Sequence, residues 1–356
     1  MNKTVVVAMS GGVDSSVAAA LLLKKGYKVI GLTMRLWSAQ KLDGPTVAET
    51  DAAAVAKLLG IEHHVVDLTE RFRQTVVAYF LEEYALGHTP NPCVFCNQKI
   101  KFGTLYERAL GLGADYLSTG HYVKLATDGE GKLRIARARC LPKDQSYVLY
   151  HLNQEILHHV LFPLGEAEDK DHVRTLAHEL NLPVFAKKDS QEICFIPDND
   201  HHRFLQQFAA APEKPGNFVT ATGQVLGHHK GLSHYTVGQR KGLGLAAAEP
   251  LFVLDIDKKR NQVVVGFAAE AACRGLVARN VVFSDGAVVQ EPLAVQVKIR
   301  YNAKPVAATI EPMSGAGYVK VLFQEPLRGI APGQFAVFYQ DELCLGGGVI
   351  VNSLKA

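Results

Sequence analysis

The chain has 356 residues, 48% of them hydrophobic and 21% charged, with a formal net charge of +3. That length holds about two or three domains of ~150 residues each. A charge so close to neutral leaves any nucleic-acid face to local clustering rather than overall excess. No apolar run approaches the ~20 residues of a membrane span, and MNKTVVVAMSGG reads directly into a strand without a signal-peptide core. The 6 cysteines are scattered, which is no disulfide framework, so the expectation is a reduced, cytoplasmic protein whose special thiols are catalytic or metal-binding.

In chain order, TVVVAM (Thr4 to Met9) predicts a strand broken by Gly11 and Gly12. Helical periodicity from Val13 to Lys25 stops at Gly26, and KVIGLTM is the second strand. TDAAAVAKLLG predicts a helix ending on Gly60, HHVVDL a third strand, and a long helix starts at Glu70. ADYLSTG (Ala114 to Gly120) is a further strand, followed by an inserted hairpin, VKLATDGEGKLRIAR, with DGEG at its turn. Strands spaced by helices of this length predict a doubly wound parallel sheet over residues 1–200. The texture then becomes rich in Gly, His and Lys, with a hairpin at FVLDIDKKRNQVVVG, which marks a small basic middle domain over 201–270. From 271 to 356, short β-branched segments between turns predict a β-barrel.

Met9-Ser10-Gly11-Gly12-Val13-Asp14-Ser15-Ser16 falls at a strand-to-helix switch. Glycines there let backbone N–H groups approach an anion, and the helix N-terminus favours negative charge. Asp14 would hold Mg2+ or cap the helix. The loop lacks the terminal lysine of G-x-x-x-x-G-K-[ST], so the ordinary kinase or GTPase reading fails, and it is not G-x-G-x-x-G, which weakens a dinucleotide site. S-G-G-V-D-S after a first strand resembles the PP-loop of the ATP pyrophosphatases, which cleave ATP between the α and β phosphates to adenylate a substrate.

NPCVFCNQ carries Cys93 and Cys96. Asn91 is a good N-cap, Pro92 suits the first helical position, and Ile100, Leu105 and Leu110 give a helical face. Both thiols fall near a helix start, where unpaired N–H groups and the dipole predict a lowered pKa. Zinc is not expected: the remaining cysteines are isolated, and the histidine pairs at 63–64, 158–159, 201–202 and 228–229 are adjacent, awkward for one ion.

Together, TPNPCVFCNQKIKFG, STGHY, KDQSYVL and DSQEICFIPD resemble the tRNA-specific 2-thiouridylase family (MnmA/TrmU type), and YTVGQRKGLG, VKIRY, APGQFAVFY and CLGGGVI resemble its later domains. The resemblance runs from Ser10 to Gly348. It implies adenylation of the position-2 carbonyl oxygen of the anticodon wobble uridine, then replacement of that oxygen by sulfur. Cys194 would carry the sulfur as a persulfide, and Cys96 would be the second catalytic thiol, leaving a Cys96–Cys194 disulfide after turnover. The family often has aspartate where this chain has Cys93. A second route in the resemblance holds an iron–sulfur cluster on Cys93, Cys96 and Cys194.

The same resemblance puts ATP contacts on Ala8, Met9, Ser10, Gly11, Gly12, Val13, Asp14, Ser15, Met34 and Gly120. Target-base or tRNA contacts fall on Asn91, Pro92, Cys93, His121, Lys143, Asp144, Gln145, Arg300, Tyr301 and Gln334. The implied cofactors are ATP and Mg2+. The implied partners are tRNAs with a wobble uridine (the Lys, Glu and Gln acceptors) and a persulfide donor such as a cysteine desulfurase or sulfur-relay protein; no membrane partner is expected. In the middle domain, Lys230, Arg240 and Lys241 near Tyr235 suit phosphate contact and base stacking. Two competing functions remain: a PP-loop amidating synthetase, which gives Cys96 and Cys194 no role, and a non-catalytic RNA-binding protein, against which the intact loop argues.

Overall fold

The computed structural model describes residues 3–37, 44–187, 193–210 and 213–355, so residues 189–192 of the DSQEICFIPD motif lie outside it. The chain starts with β1 (Thr4–Ala8), α1 (Val13–Lys24), β2 (Lys28–Arg35), α2 (Val47–Leu59), β3 (Glu62–Asp67) and β4 (Tyr116–Ser118). With β7 (Val160–Leu161), these strands form a parallel sheet of order β3-β2-β1-β4-β7. Side chains alternate across it as the period of two requires. Val6, Ala8, Ile30 and Leu32 enter one core, and Val5, Val7 and Val29 enter the other. Val5, Val6 and Val7 are wholly buried, as a central strand covered on both faces must be.

α2 begins earlier than the alanine-rich periodicity suggests, because Thr46 and Glu49 form a reciprocal capping box. Glu49 also grips Arg35 with two bonds of 2.8 Å. Two helical stretches contain π-wound segments, Arg73–Val77 and Asn97–Leu105. The second has a visible effect on the predicted face. Ile100 and Leu105 are fully buried, but Leu110 is 46% exposed, since the wider π-turn rotates later residues away from a 3.6-residue stripe.

The hairpin of β5 (Val123–Thr127) and β6 (Leu133–Arg137) emerges where the sequence predicts it. The middle domain holds β8 (Gly216–Val219), β9 (Val225–His229), β10 (Phe252–Asp257) and β11 (Gln262–Gly266) in the order β10-β11-β8-β9. The C-terminal strands are β12 (Cys273–Phe283), β13 (Leu293–Lys298), β14 (Val306–Pro312), β15 (Val319–Leu327), β16 (Phe335–Gln340) and β17 (Leu343–Lys355). They follow the order β12-β15-β14-β13-β16-β17 and close through β12–β17, a true barrel. The β5–β6 hairpin then joins β17 through Leu343↔Ala136 and Cys344↔Ile135, so one hydrogen-bonded sheet runs from the first domain into the last.

Candidate functional site

The phosphate loop lies at the carboxyl end of β1, in the crevice where open α/β sheets place ligands. Gly11 has φ of +67°, and a Cβ there would run into the Ala48 carbonyl. Gly12 caps α1 without a side-chain bond to its first N–H groups, and Ser10 is exposed beside it. The loop is held from within by Ser15 Oγ, which accepts from Ser10 N at 3.1 Å, and by Ser16 Oγ, which donates to Gly12 O at 2.8 Å. A glycine turn, a bare helix start and serine hydroxyls fit a polyphosphate. Asp14 is less free than the sequence suggests. Its Oδ1 accepts from Lys170 Nζ at 2.6 Å and from Tyr122 OH at 2.7 Å, so Mg2+ at this carboxylate would share it with an ammonium.

Two lysines supply the charge that the loop lacks. Lys170 comes from the start of the helix Lys170–Glu179, and Lys187 donates to Gly11 O at 2.9 Å and to Asp51 Oδ2 at 2.6 Å. Neither is near the loop in sequence. Gly120 is pressed against the same loop: a Cβ there would lie 2.7 Å from Ser15 N and 2.8 Å from Asp14 C. Thr119 and His121, on either side of it, are buried. Ala8, Met9 and Val13 are core residues whose contribution is backbone, and Met34 packs half-buried at the end of β2.

The cysteine site is built by Asn91, whose Oδ1 accepts from Cys93 N at 3.2 Å and Val94 N at 3.4 Å, and by Pro92 at the helix start. Phe195 and Ile196 bring Cys194 to it. They are buried in the cluster that contains Cys96, with Phe195 5.6 Å from Phe72 and 5.3 Å from Phe80 between ring centroids. All three thiols are free; Cys96 is buried, and Cys93 and Cys194 are exposed. They sit close enough for charge on Cys194 and Cys93 to act on Cys96.

The expected lowering of the thiol pKa does not occur. Burial pushes Cys96 up to about 12, and the protein packed around Cys194 and Cys93 raises both thiols as well, Cys194 to about 11, although each residue keeps an edge open to solvent. The crowded surroundings outweigh the helix start, and the Lys101 ammonium opposes the rise at all three sulfurs. Nothing in the cysteine motif singles out Lys101. It stands five residues after Cys96, and in a π-wound segment positions i and i+5 share a face. Among the described residues, no three His, Cys, Asp or Glu side chains gather into a metal-holding set.

The positions carried over as tRNA contacts divide. Tyr301 reaches the thiol site from the barrel: it hydrogen-bonds with Gln145, and charge on Cys93 acts on its phenol, which burial raises. His121 lies at the loop, with Nδ1 2.6 Å from Thr119 Oγ1. Lys143 and Gln145 are half-buried. Asp144, in contrast, points inward and accepts from Ala138 N, Ser146 N and Ser146 Oγ, so its carboxylate organises a turn. Arg300 Nη2 donates to Val237 O and Gly329 O, joining the middle domain to the barrel. Gln334 Nε2 donates to Thr89 O at 2.8 Å, strapping the approach to Asn91 onto the barrel. Tyr235 is buried against Phe218 and is not placed for stacking on a base, whereas Lys230, Arg240 and Lys241 are exposed.

A Clostridium perfringens protein named tRNA-specific 2-thiouridylase MnmA is 47% identical to this chain over 99% of both chains. The chain belongs to the tRNA-specific 2-thiouridylase family. A second 2-thiouridylase, from Carboxydothermus hydrogenoformans, is 48% identical over 99% of this chain and 98% of its own. Family models divide the chain into three domains: a tRNA methyl transferase HUP domain matches 3–198, a tRNA methyl transferase PRC-barrel domain 202–267, and an aminomethyltransferase beta-barrel domain 273–350. Among solved structures, an NMN synthetase from Francisella tularensis aligns at 19% identity and a TM-score of 0.33, over 53% of this chain and 66% of its own.

Proposed function

We propose that this member of the 2-thiouridylase family is a tRNA sulfurtransferase that binds ATP at the Ser10–Ser15 loop and works by a persulfide route through Cys194 and Cys96. The observation that carries this is the convergence of Cys194 on Cys96, with Lys101, whose charge acts on both thiols, bonded to His121 beside Gly120, which presses on the loop. The position-2 oxygen of the wobble uridine attacks the α phosphate, and pyrophosphate leaves. The terminal sulfur of a Cys194 persulfide then attacks carbon 2, and AMP departs with the oxygen. The Cys96 thiolate attacks Cys194 Sγ and breaks the S–S bond to the base-bound sulfur, which remains on the uridine as the thiocarbonyl. A Cys96–Cys194 disulfide is left for an external thiol to reduce. Mg2+ arriving with ATP would neutralise phosphate charge, and Asp14, already bonded to Lys170 and Tyr122, is the loop carboxylate that would share in holding it.

Asn91, Pro92, Cys93 and Tyr301 frame the base, and His121, Lys143 and Gln145 lie beside it. The partners in this reading are the Lys, Glu and Gln tRNAs and a cysteine desulfurase or sulfur-relay protein, in the cytoplasm. No helix among the described residues is long and apolar enough to cross a membrane. The test is thiolation in vitro with ATP, a sulfur donor and tRNA, read on a mercury-containing gel that retards thiolated RNA. Wild type should give a shifted band, and Cys194→Ser and Cys96→Ser should each abolish it. Activity retained in either variant sinks the route. A dead Cys93→Ser protein together with a brown anaerobic wild type would favour the cluster instead.

A further inference from the structure

The phosphate loop has no lysine of its own, yet an ammonium stands on it. Lys187 Nζ donates to the Gly11 carbonyl at 2.9 Å, and its counter-ion is Asp51 Oδ2 at 2.6 Å, on α2. Gly11 cannot carry a Cβ because α2 presses on it at Ala48, so the loop, α2 and Lys187 meet at one point. The Lys187 side chain is 38% exposed and Asp51 is 31% exposed, so the pair is open to solvent and cheap to separate. On the other flank, Lys170 is only 12% exposed and is held on Asp14 beside the Tyr122 hydroxyl. The two flanks therefore differ: one ammonium is fixed, and the other can turn.

We infer that Lys187 is a ligand of the β and γ phosphates of ATP, exchanging the Asp51 carboxylate for phosphate oxygens when the nucleotide binds. Its place at Gly11, at the amino end of the bare α1 turn, puts its charge where the leaving pyrophosphate must gather negative charge during adenylation. Asp51 holds the lysine extended over the loop until a stronger anion arrives. This rests on the ATP reading of the loop and adds to it the group that would tell ATP from AMP.

Isothermal titration of the full-length protein with ATP, pyrophosphate and AMP, each with Mg2+, tests it. Lys187→Met should weaken ATP and pyrophosphate by about tenfold or more, as the loss of a charge-assisted bond implies, and leave AMP within about twofold. Lys187→Arg should keep most of the preference for ATP. Asp51→Asn, which removes the competing carboxylate and leaves the lysine in place, should bind ATP at least as tightly as wild type. Unchanged ATP binding in a folded Lys187→Met protein, equal weakening of AMP, or weaker ATP binding in Asp51→Asn would each overturn the inference. Wild type that binds neither ATP nor AMP would instead remove the nucleotide site itself.

Discussion

Lys101 Nζ lies 3.4 Å from His121 Nε2. An ammonium only donates, so Nε2 accepts, and the ring proton sits on Nδ1 and goes to Thr119 Oγ1 at 2.6 Å. Burial, with the charges of Lys101 and His151 behind it, holds the His121 pKa well below its ordinary value. The expected outcome is a neutral Nδ1–H imidazole throughout pH 5–8. Nitrogen-15 NMR of the histidine side chains reads it directly, and an imidazolium signal for His121 at pH 6 would contradict it.

The same histidines set an acid limit on stability. His121 is depressed, and burial takes His151 down to about 3, with Lys99 adding to the effect. In the unfolded chain both protonate near pH ~6.5. Below that value the unfolded state binds protons that the folded state refuses, so stability present above pH ~6.5 falls as the pH drops toward about 3. Urea midpoints at pH 7.5, 6 and 5 should decline in that order, and His151→Leu should flatten the decline.

The thiols should be slow nucleophiles in the free protein. With Cys194 near 11, its thiolate fraction at neutral pH is small, and alkylation by iodoacetamide should rise about tenfold per pH unit between pH 7 and 9. Removing the opposing charge in Lys101→Gln should slow alkylation further at each pH. A plateau already reached by pH 8, followed by mass spectrometry of the Cys194 peptide, would show a thiol far more acidic than this environment allows.

Gly120→Ala should disable the loop without unfolding the domain. The added carbon would press on Ser15 N and Asp14 C, so the loop must shift, and a misplacement of about 1 Å can cost ~100-fold in rate. The thiolation rate should fall by that order while the circular dichroism spectrum stays unchanged. Gly11→Ala adds left-handed strain of about 1–3 kcal/mol to its clash with Ala48 and should also lower the melting temperature.

Arg134 holds the hairpin on the barrel. Its guanidinium donates to Asp128 Oδ2 at 2.8 Å, Ser284 Oγ at 2.8 Å and Asp285 Oδ2 at 2.6 Å. Burial works against the Asp285 charge, yet the Ala287 backbone N–H and Arg134 together keep its pKa below the ordinary carboxylate range. Arg134→Ala leaves that carboxylate with only the longer Lys132 contact at 3.7 Å for a counter-ion and should cost about 3 kcal/mol in chemical denaturation. Arg134→Ala/Asp285→Ala should recover some of the loss, which a double-mutant cycle measures.

What the sequence makes legible is local. The S-G-G-V-D-S turn, the Asn91–Pro92 helix start and the β5–β6 hairpin are each written in a few adjacent residues, and each stands where those residues predict it. What it hides is either non-local or a contest between effects. Lys187 and Lys170 reach the loop from more than 150 residues away, a proximity that no spacing rule encodes. The π-wound segment that turns Leu110 outward and aligns Lys101 with Cys96 leaves no mark in the residue pattern. The thiol pKa expectation fails because the helix start is visible in sequence and the burial that overrides it is not. Asp144, Arg300 and Gln334 look like surface polar residues until their partners in other elements are seen.

The pairing of Ala136 and Ile135 with Leu343 and Cys344 has a consequence for how the molecule can be cut. A protease or a stop codon that removed residues 273–355 would leave β6 with an unpaired edge and Arg134 without Asp285. Exposed edges of that kind recruit other chains. The amino-terminal portion, although it owns the whole phosphate loop, should therefore precipitate when made alone, and the barrel acts as its built-in solubility partner.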